Sequence, residues 1–235
     1  MRQIILDTET TGLDPRQGHR IIEVAGVEVV NRRLTNRHFH QYINPDRDID
    51  EGAQAVHGIS REFLADKPRF ADIVDGFLDF IDGAELIIHN APFDVGFLNA
   101  ELELLGKSSV TDFCTSVTDT LKMARDNYPG KRNSLDALCE RLEIDNSHRN
   151  LHGALLDAEL LAEVYLMMTR GQDGLAMVFE ESARSLEAGN DLARLGRLAR
   201  ITASDEDLQA HQNVLEQIQK ESGGKCVWLS QSAQQ

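Results

Sequence analysis

The run Ile4-Ile5-Leu6-Asp7-Thr8-Glu9, close to the start of the chain, constrains the fold more than any other stretch. Its apolar half reads as a buried strand. Successive side chains of a strand alternate between faces, so Asp7 and Glu9 project from the same face. Their Cα atoms then stand about 6.5–7 Å apart. Two carboxylates at that range disfavour each other's charged form, and burial adds to the cost. A divalent cation between them removes both penalties, and an all-oxygen pair suits Mg²⁺ or Mn²⁺ better than zinc. Taken alone, an acid pair at a strand end is more often simply solvated.

The rest of the chain builds a sheet around that strand. Residues 2–7 are the first strand, 20–31 the second and 38–45 the third, with a polar turn at 31–36. This is an antiparallel meander. A long loop holding Ala55-Val56-His57-Gly58-Ile59-Ser60 follows. Phe70, Ile73, Val74, Phe77, Leu78 and Ile81 recur at helical spacing and predict a helix over 69–82. Residues 85–89 form a short apolar strand, and helices are expected over 93–105, 116–127, 134–142 and 155–168. Asn133 or Ser134 caps the helix that starts at 134. Strands first, then alternating helix and strand, imply an α/β domain with a mixed sheet flanked by helices.

Two later segments can supply partners to the acid pair. Asp94 lies just after a strand and opens a helix, where a carboxylate also answers the helix dipole. Asp157 sits inside the most apolar helix, and His152 precedes it by five residues. In one regular helix those two side chains would diverge by roughly 140°. If they share a site, His152 must therefore lie ahead of the helix. A histidine near its ordinary pKa is suited to take a proton from water. Together, four acids and one histidine from a strand end, a helix start and a late helix can hold two metals roughly 4 Å apart, as in phosphodiester hydrolysis.

Composition limits the partners. The net charge is -15, and residues 1–170 hold 18 basic and 29 acidic side chains. Such a surface does not grip duplex nucleic acid over many phosphates. Three cysteines without a CxxC pair imply free thiols in a reducing compartment. No apolar run approaches the roughly 18 residues of a membrane span. The chain enters its first strand without a basic-then-apolar leader, so a cytoplasmic location is expected.

Near Gly171 the pattern changes. Residues 171–203 lack a clean strand. Ser204 and Asp207 form a capping box, and Leu208, His211, Leu215 and Ile218 make a narrow stripe. The chain closes with Val227-Trp228-Leu229, which holds the only tryptophan.

Four motifs, LDTETTG (6–12), VHGI (56–59), HNAPFD (89–94) and LHGALLDA (151–158), resemble in this order those of the DnaQ-like 3′–5′ exonucleases with a histidine base. RQIILDTETTG, IIEVAGVEVVNRRLT, PGKRNSLDALC and LHGALLDAELLAEVYL resemble still more closely the proofreading subunits of bacterial replicative DNA polymerases. The resemblance is dense over 1–170 and looser in the tail. It implies a ribonuclease H-like fold and two divalent ions, Mg²⁺ or Mn²⁺. Asp7, Glu9, Asp94 and Asp157 match the family's metal ligands, and His152 matches its base. Asp7, Glu9, Thr10, His57, Phe93 and Asp157 match or flank positions that meet the terminal nucleotide. Asn90 either orients Asp94 or caps its helix.

The expected activity is 3′–5′ removal of nucleoside monophosphates from a single-stranded or frayed DNA end. The alternatives are an exoribonuclease that trims RNA and a non-catalytic scaffold between polymerase and clamp. The resemblance further implies an exonuclease domain over 1–170, a linker over 171–203 and a polymerase-binding tail over 204–235. Gln172-Asp173-Gly174-Leu175-Ala176-Met177 occupies the place of a sliding-clamp peptide, with Met177 where an aromatic is usual; an inert linker is the alternative. A small accessory subunit is also implied. Two departures stand out: Met177, and Gly52 in Asp50-Glu51-Gly52-Ala53, where no side chain is left to meet substrate.

Overall fold

The computed structural model describes residues 1–147, 149, 151–170 and 204–223. Strands β1 (Arg2–Thr10), β2 (Ile21–Val30) and β3 (Arg33–Tyr42) form the antiparallel meander. On the other side of β1 lie β4 (Glu85–Ile88) and then β5 (Ser116–Asp119), both parallel to it. The sheet order is β3-β2-β1-β4-β5. β1 is thus central, and its carboxyl end shares one side of the sheet with the carboxyl end of β4. In open α/β sheets, that is where ligands bind.

Alternation along β1 feeds two cores. Ile4 and Leu6 pack on one face with Phe70, Val74, Phe77 and Ile81 of α3 (Phe70–Ile81) and Phe97 and Leu98 of α4 (Ala91–Leu104). Ile5 points the other way, toward Leu138 of α6 (Leu135–Leu142) and Ala158, Leu161 and Val164 of α7 (Ala154–Met168). Removing such surfaces from water is worth roughly 25 cal/mol per Å² of apolar area. The fold is the mixed, helix-flanked sheet expected of the ribonuclease H-like class.

Several elements differ from the sequence-based expectation. β1 runs on through the acids to Thr10, because the antiparallel ladder with β2 continues to Ile21. β3 begins at Arg33, since the turn consumes only Asn31 and Arg32, both at positive φ (49° and 62°) as a two-residue hairpin turn demands. The expected loop around His57 holds α1 (Glu51–His57) and α2 (Arg61–Leu64). Residues of the expected helix 116–127 divide into β5 and α5 (Thr120–Asn127), with Asp119 capping α5 through Leu121 N and Lys122 N. α4 starts at Ala91, with Pro92 in its first turn. Ser134, not Asn133, caps α6.

In the C-terminal unit, α8 (Asp205–Glu221) carries the Ser204–Asp207 capping box. Leu208, Val214 and Ile218 are exposed on it. The clamp-like peptide Gln172–Met177 and Val227-Trp228-Leu229 lie outside the described residues. Among the described residues no helix is long and apolar enough to cross a membrane.

Candidate active site

The site forms where β1 ends between α7 on one face and α4 on the other. Asp7 and Glu9 share the face of Ile5, toward α7. Asp157, in the first turn of α7 and only 4% exposed, comes to them there. Thr8 points the other way, toward α4, and donates a 2.7 Å hydrogen bond to Asp94 Oδ1. Asp94 lies in the first turn of α4, just beyond the end of β4, and is 3% exposed. The four acids converge, and the strand period that pairs Asp7 with Glu9 also places Thr8 to hold the third carboxyl.

His152 stands two residues ahead of α7, as the divergence of helical positions requires. Its amide donates to Val56 O at the end of α1 (3.2 Å), which hangs the segment on the His57 helix. Gly58 reinforces this. It has φ +71°, and a Cβ there would come within 2.6 Å of Leu151 Cδ1. His152 Nδ1 lies 3.2 Å from Asp157 Oδ2. One donor atom each of Glu9, His152 and Asp157 fit within 4.8 Å of one another.

Crowding shows in the acid strengths. Burial, then the charges of Asp94, Glu9 and Asp157, hold the Asp7 carboxyl well above the usual range. Glu9 rises to about 8, first through burial and then through Asp157 and Glu23. Burial lifts Asp94 to about 7, against the lowering effect of the Thr8 hydrogen bond. Three carboxyls that resist ionisation beside a fourth form a donor set that a divalent cation relieves. The residues present therefore fit such an ion.

Some expected substrate residues face the site and some do not. His57 is 5% exposed; its Nδ1 accepts from Ile59 N (3.0 Å), so Nε2 carries the hydrogen. That Nε2 is buried and has no hydrogen-bond partner among the described residues. Phe93 packs against Phe97 with the rings tilted and their centroids 5.0 Å apart, and it lines a groove of about 820 Å³ with Leu13, Arg16 and Leu104. The Thr10 hydroxyl donates back to Gly12 O (2.7 Å) and shapes the loop that follows β1. Asn90 is the N-cap residue of α4, as one of its two expected roles requires, but caps through its backbone, its carbonyl accepting from Phe93 N (3.0 Å), while Asp94 is held by Thr8.

Three residues at the site escaped the sequence reading. Thr8 is one. Glu23, 2% exposed, accepts from Ala154 N (3.2 Å) at the start of α7 and lies 2.7 Å from His40 Nε2. It supplies the helix start with the oxygen that Gly153 lacks. Arg149 brings a guanidinium onto Asp157. None has a sequence signal beyond being polar near a motif. A second groove, of about 550 Å³, joins Asp7, His152 and Asp157 to the cations Arg125, Lys131 and Arg149.

The family model described as "Exonuclease" (RNase_T) matches residues 4–165. The DNA polymerase III epsilon subunit of Salmonella typhimurium strain LT2 is 53% identical, with 97% of each chain covered. The epsilon subunit of Escherichia coli K12 is 52% identical over the same shares. That of Rickettsia prowazekii is 50% identical, covering 93% of this chain and 97% of the relative. Among solved structures, exonuclease X in complex with 5′ overhanging duplex DNA superposes with a TM-score of 0.56 at 27% identity, covering 72% of this chain and 91% of that one. The nuclease domain of 3′hExo, a DEDDh family member bound to rAMP, gives 0.62 at 22% identity, covering 74% and 92%, and shares the fold. An identity above one half, sustained along nearly the whole chain, leaves no room for a different lineage: the chain belongs to the exonuclease family and, within it, to the bacterial DNA polymerase III epsilon subunits.

Proposed function

We propose that the acidic cluster at the end of β1 is where this 3′–5′ proofreading exonuclease cleaves the terminal phosphodiester of a DNA strand. Asp7, Glu9, Asp94 and Asp157 would hold two divalent ions, Mg²⁺ or Mn²⁺. Bound there, such ions supply an activated water and stabilise charge on the leaving oxygen. The observation that supports this most is the convergence of four carboxyls and one histidine from three separate elements, with three of the carboxyls pushed toward neutrality.

The chain's own groups divide the work. His152 takes the proton of the attacking water at Nδ1, and Asp157 Oδ2, 3.2 Å from that nitrogen, then faces the new N–H. Thr8 holds Asp94 in place. His57, a buried donor without a well-formed hydrogen bond, meets an oxygen of the terminal nucleotide. Phe93 borders the groove along which the strand runs. Arg125 and Lys131 flank the acids and offer charge to phosphates on an otherwise acidic surface.

Residues 1–170 form the exonuclease domain, 171–203 a linker and 204–235 the anchor on the polymerase catalytic subunit. The exposed Leu208, Val214 and Ile218 of α8 support the anchor. Tethering through the linker gives an effective concentration on the order of mM, which offsets the weak grip of a domain with more acids than bases. The sliding clamp, through Gln172–Met177, and a small accessory subunit are further partners, and the cytoplasm is the site of action.

The deciding experiment digests a 3′-mismatched DNA primer, and its RNA counterpart, with the wild type and the Asp7→Ala, Glu9→Ala double variant. Divalent-dependent release of nucleoside monophosphates from DNA, abolished in the variant, is expected. Undiminished digestion by the variant overturns the site, and faster digestion of RNA overturns the substrate.

A further inference from the structure

Arg149 is the one buried cation inside the acidic cluster among the described residues. Its side chain is 6% exposed, less than that of most arginines by far. Nε and Nη2 donate to the two oxygens of Asp157, at 2.6 and 2.7 Å, as a fork-on-fork pair. Nη2 also donates to His152 Nδ1 at 2.8 Å, and Nη1 to Asp136 Oδ1. A guanidinium can only donate, so His152 Nδ1 is the accepting nitrogen, and its lone pair is used. One side chain thus occupies both oxygens of a candidate metal ligand and the accepting atom of the candidate base.

We propose that Arg149 is a positioning residue that excludes a divalent ion from Asp157, so that ion binding and the release of the His152 lone pair are one event. This rests on the reading of Asp157 as a metal ligand. A dication on either Asp157 oxygen would stand within a few ångströms of a fixed positive charge. The repulsion must be relieved by withdrawing the guanidinium. Withdrawal breaks the bond to His152 as well, because both come from the same planar group. Arg149 also favours the charged form of Glu9, so it steadies the cluster until an ion replaces it. The bond to Asp136 gives the guanidinium a place to remain, since Asp136 is more than half exposed and lies outside the cluster.

The test is Mn²⁺ binding to the full chain, followed by calorimetry and by the spin-resonance signal of free Mn²⁺, without substrate. Arg149→Gln should bind Mn²⁺ at least about tenfold more tightly, the scale of repulsion between a single and a double charge a few ångströms apart even in water. Arg149→Lys keeps the charge but loses the fork, so its affinity should fall between the two. It also serves if the glutamine variant does not fold. In an Asp157→Asn background, Arg149→Gln should bring no gain. Unchanged or weaker Mn²⁺ affinity in both Arg149 variants overturns the inference while leaving the metal site intact. No Mn²⁺ binding by any form, wild type included, overturns the metal-site reading itself and the inference with it.

Discussion

Thr8 and Asp94 are joined by a buried 2.7 Å hydrogen bond across 86 residues of sequence, from the face of β1 opposite to Asp7 and Glu9. It holds the third carboxyl in the cluster and opposes the burial that lifts that carboxyl to about 7. Hydrogen bonds to charged groups are worth about 1.5–3 kcal/mol. Thr8→Val should therefore slow DNA digestion by about tenfold to a hundredfold, whereas Thr8→Ser should stay near wild type. Without the donor the Asp94 carboxyl climbs further, so the acid limb of the pH–rate profile should move to higher pH. A Thr8→Val enzyme with an unshifted profile removes Thr8 from this role.

Glu9 ties stability to pH. Its carboxyl is at about 8 in the fold against an ordinary 4.5. A raised acid binds its proton more tightly in the folded state, so its stabilising effect is complete below about pH 4.5 and is lost as pH rises toward 8. In chelator-treated protein, the melting temperature of wild type relative to Glu9→Gln should fall across that window. Adding Mn²⁺ at pH 8 should raise the wild type by several degrees and the variant by less. A difference between the two that stays flat with pH contradicts the raised carboxyl.

Legibility in the sequence followed the strength of local patterning. The period of two in Ile4 to Glu9 placed Asp7 and Glu9 on one face, and the period of three and four located α3 almost to the residue. The placement of His152 ahead of α7 followed from helix geometry once it and Asp157 were taken to share a site. α1 was hidden because its residues are mostly exposed and form no stripe. β5 was hidden because four residues on an edge, none fully buried, offer no alternation to read. Arg149 and Glu23 could not be found at all. Arg149 sits in a polar loop and Glu23 is an acid in the apolar strand β2, and each looks solvated until tertiary contacts bury it.

Gly12 closes the motif for a steric reason. A Cβ there would sit 2.3 Å from His19 Cε1. That ring is itself fixed, with Nδ1 3.0 Å from Thr11 Oγ1 and Nε2 3.4 Å from Asp50 Oδ2 at the start of α1. Gly12→Ala must displace the ring and part the β1 end from the helix that carries His57. Overpacking of this kind costs about 1–3 kcal/mol. Thermal unfolding of the variant should show a drop of roughly 2–4 °C per kcal/mol for a domain of this size. Restored stability in Gly12→Ala, His19→Ala would identify the ring as the obstacle, and none would place the strain elsewhere.

Arg125 and Lys131 are the cations of the groove beside the acids that are free of Asp157. Both belong to the α5–α6 region, so losing them leaves β1, α4 and α7 untouched. Each phosphate contact on a single strand contributes about 0.7 to the slope of log affinity against log salt. Arg125→Ala, Lys131→Ala should therefore raise KM for single-stranded DNA about tenfold at low salt, leave kcat close to wild type, and reduce the salt slope by about 1.4. A fall in kcat with KM unchanged would mean that these cations act on the chemistry and not on the strand. The distinction matters for a domain with excess negative charge: a grip that leans on few cations suits an enzyme that must release a correctly paired end.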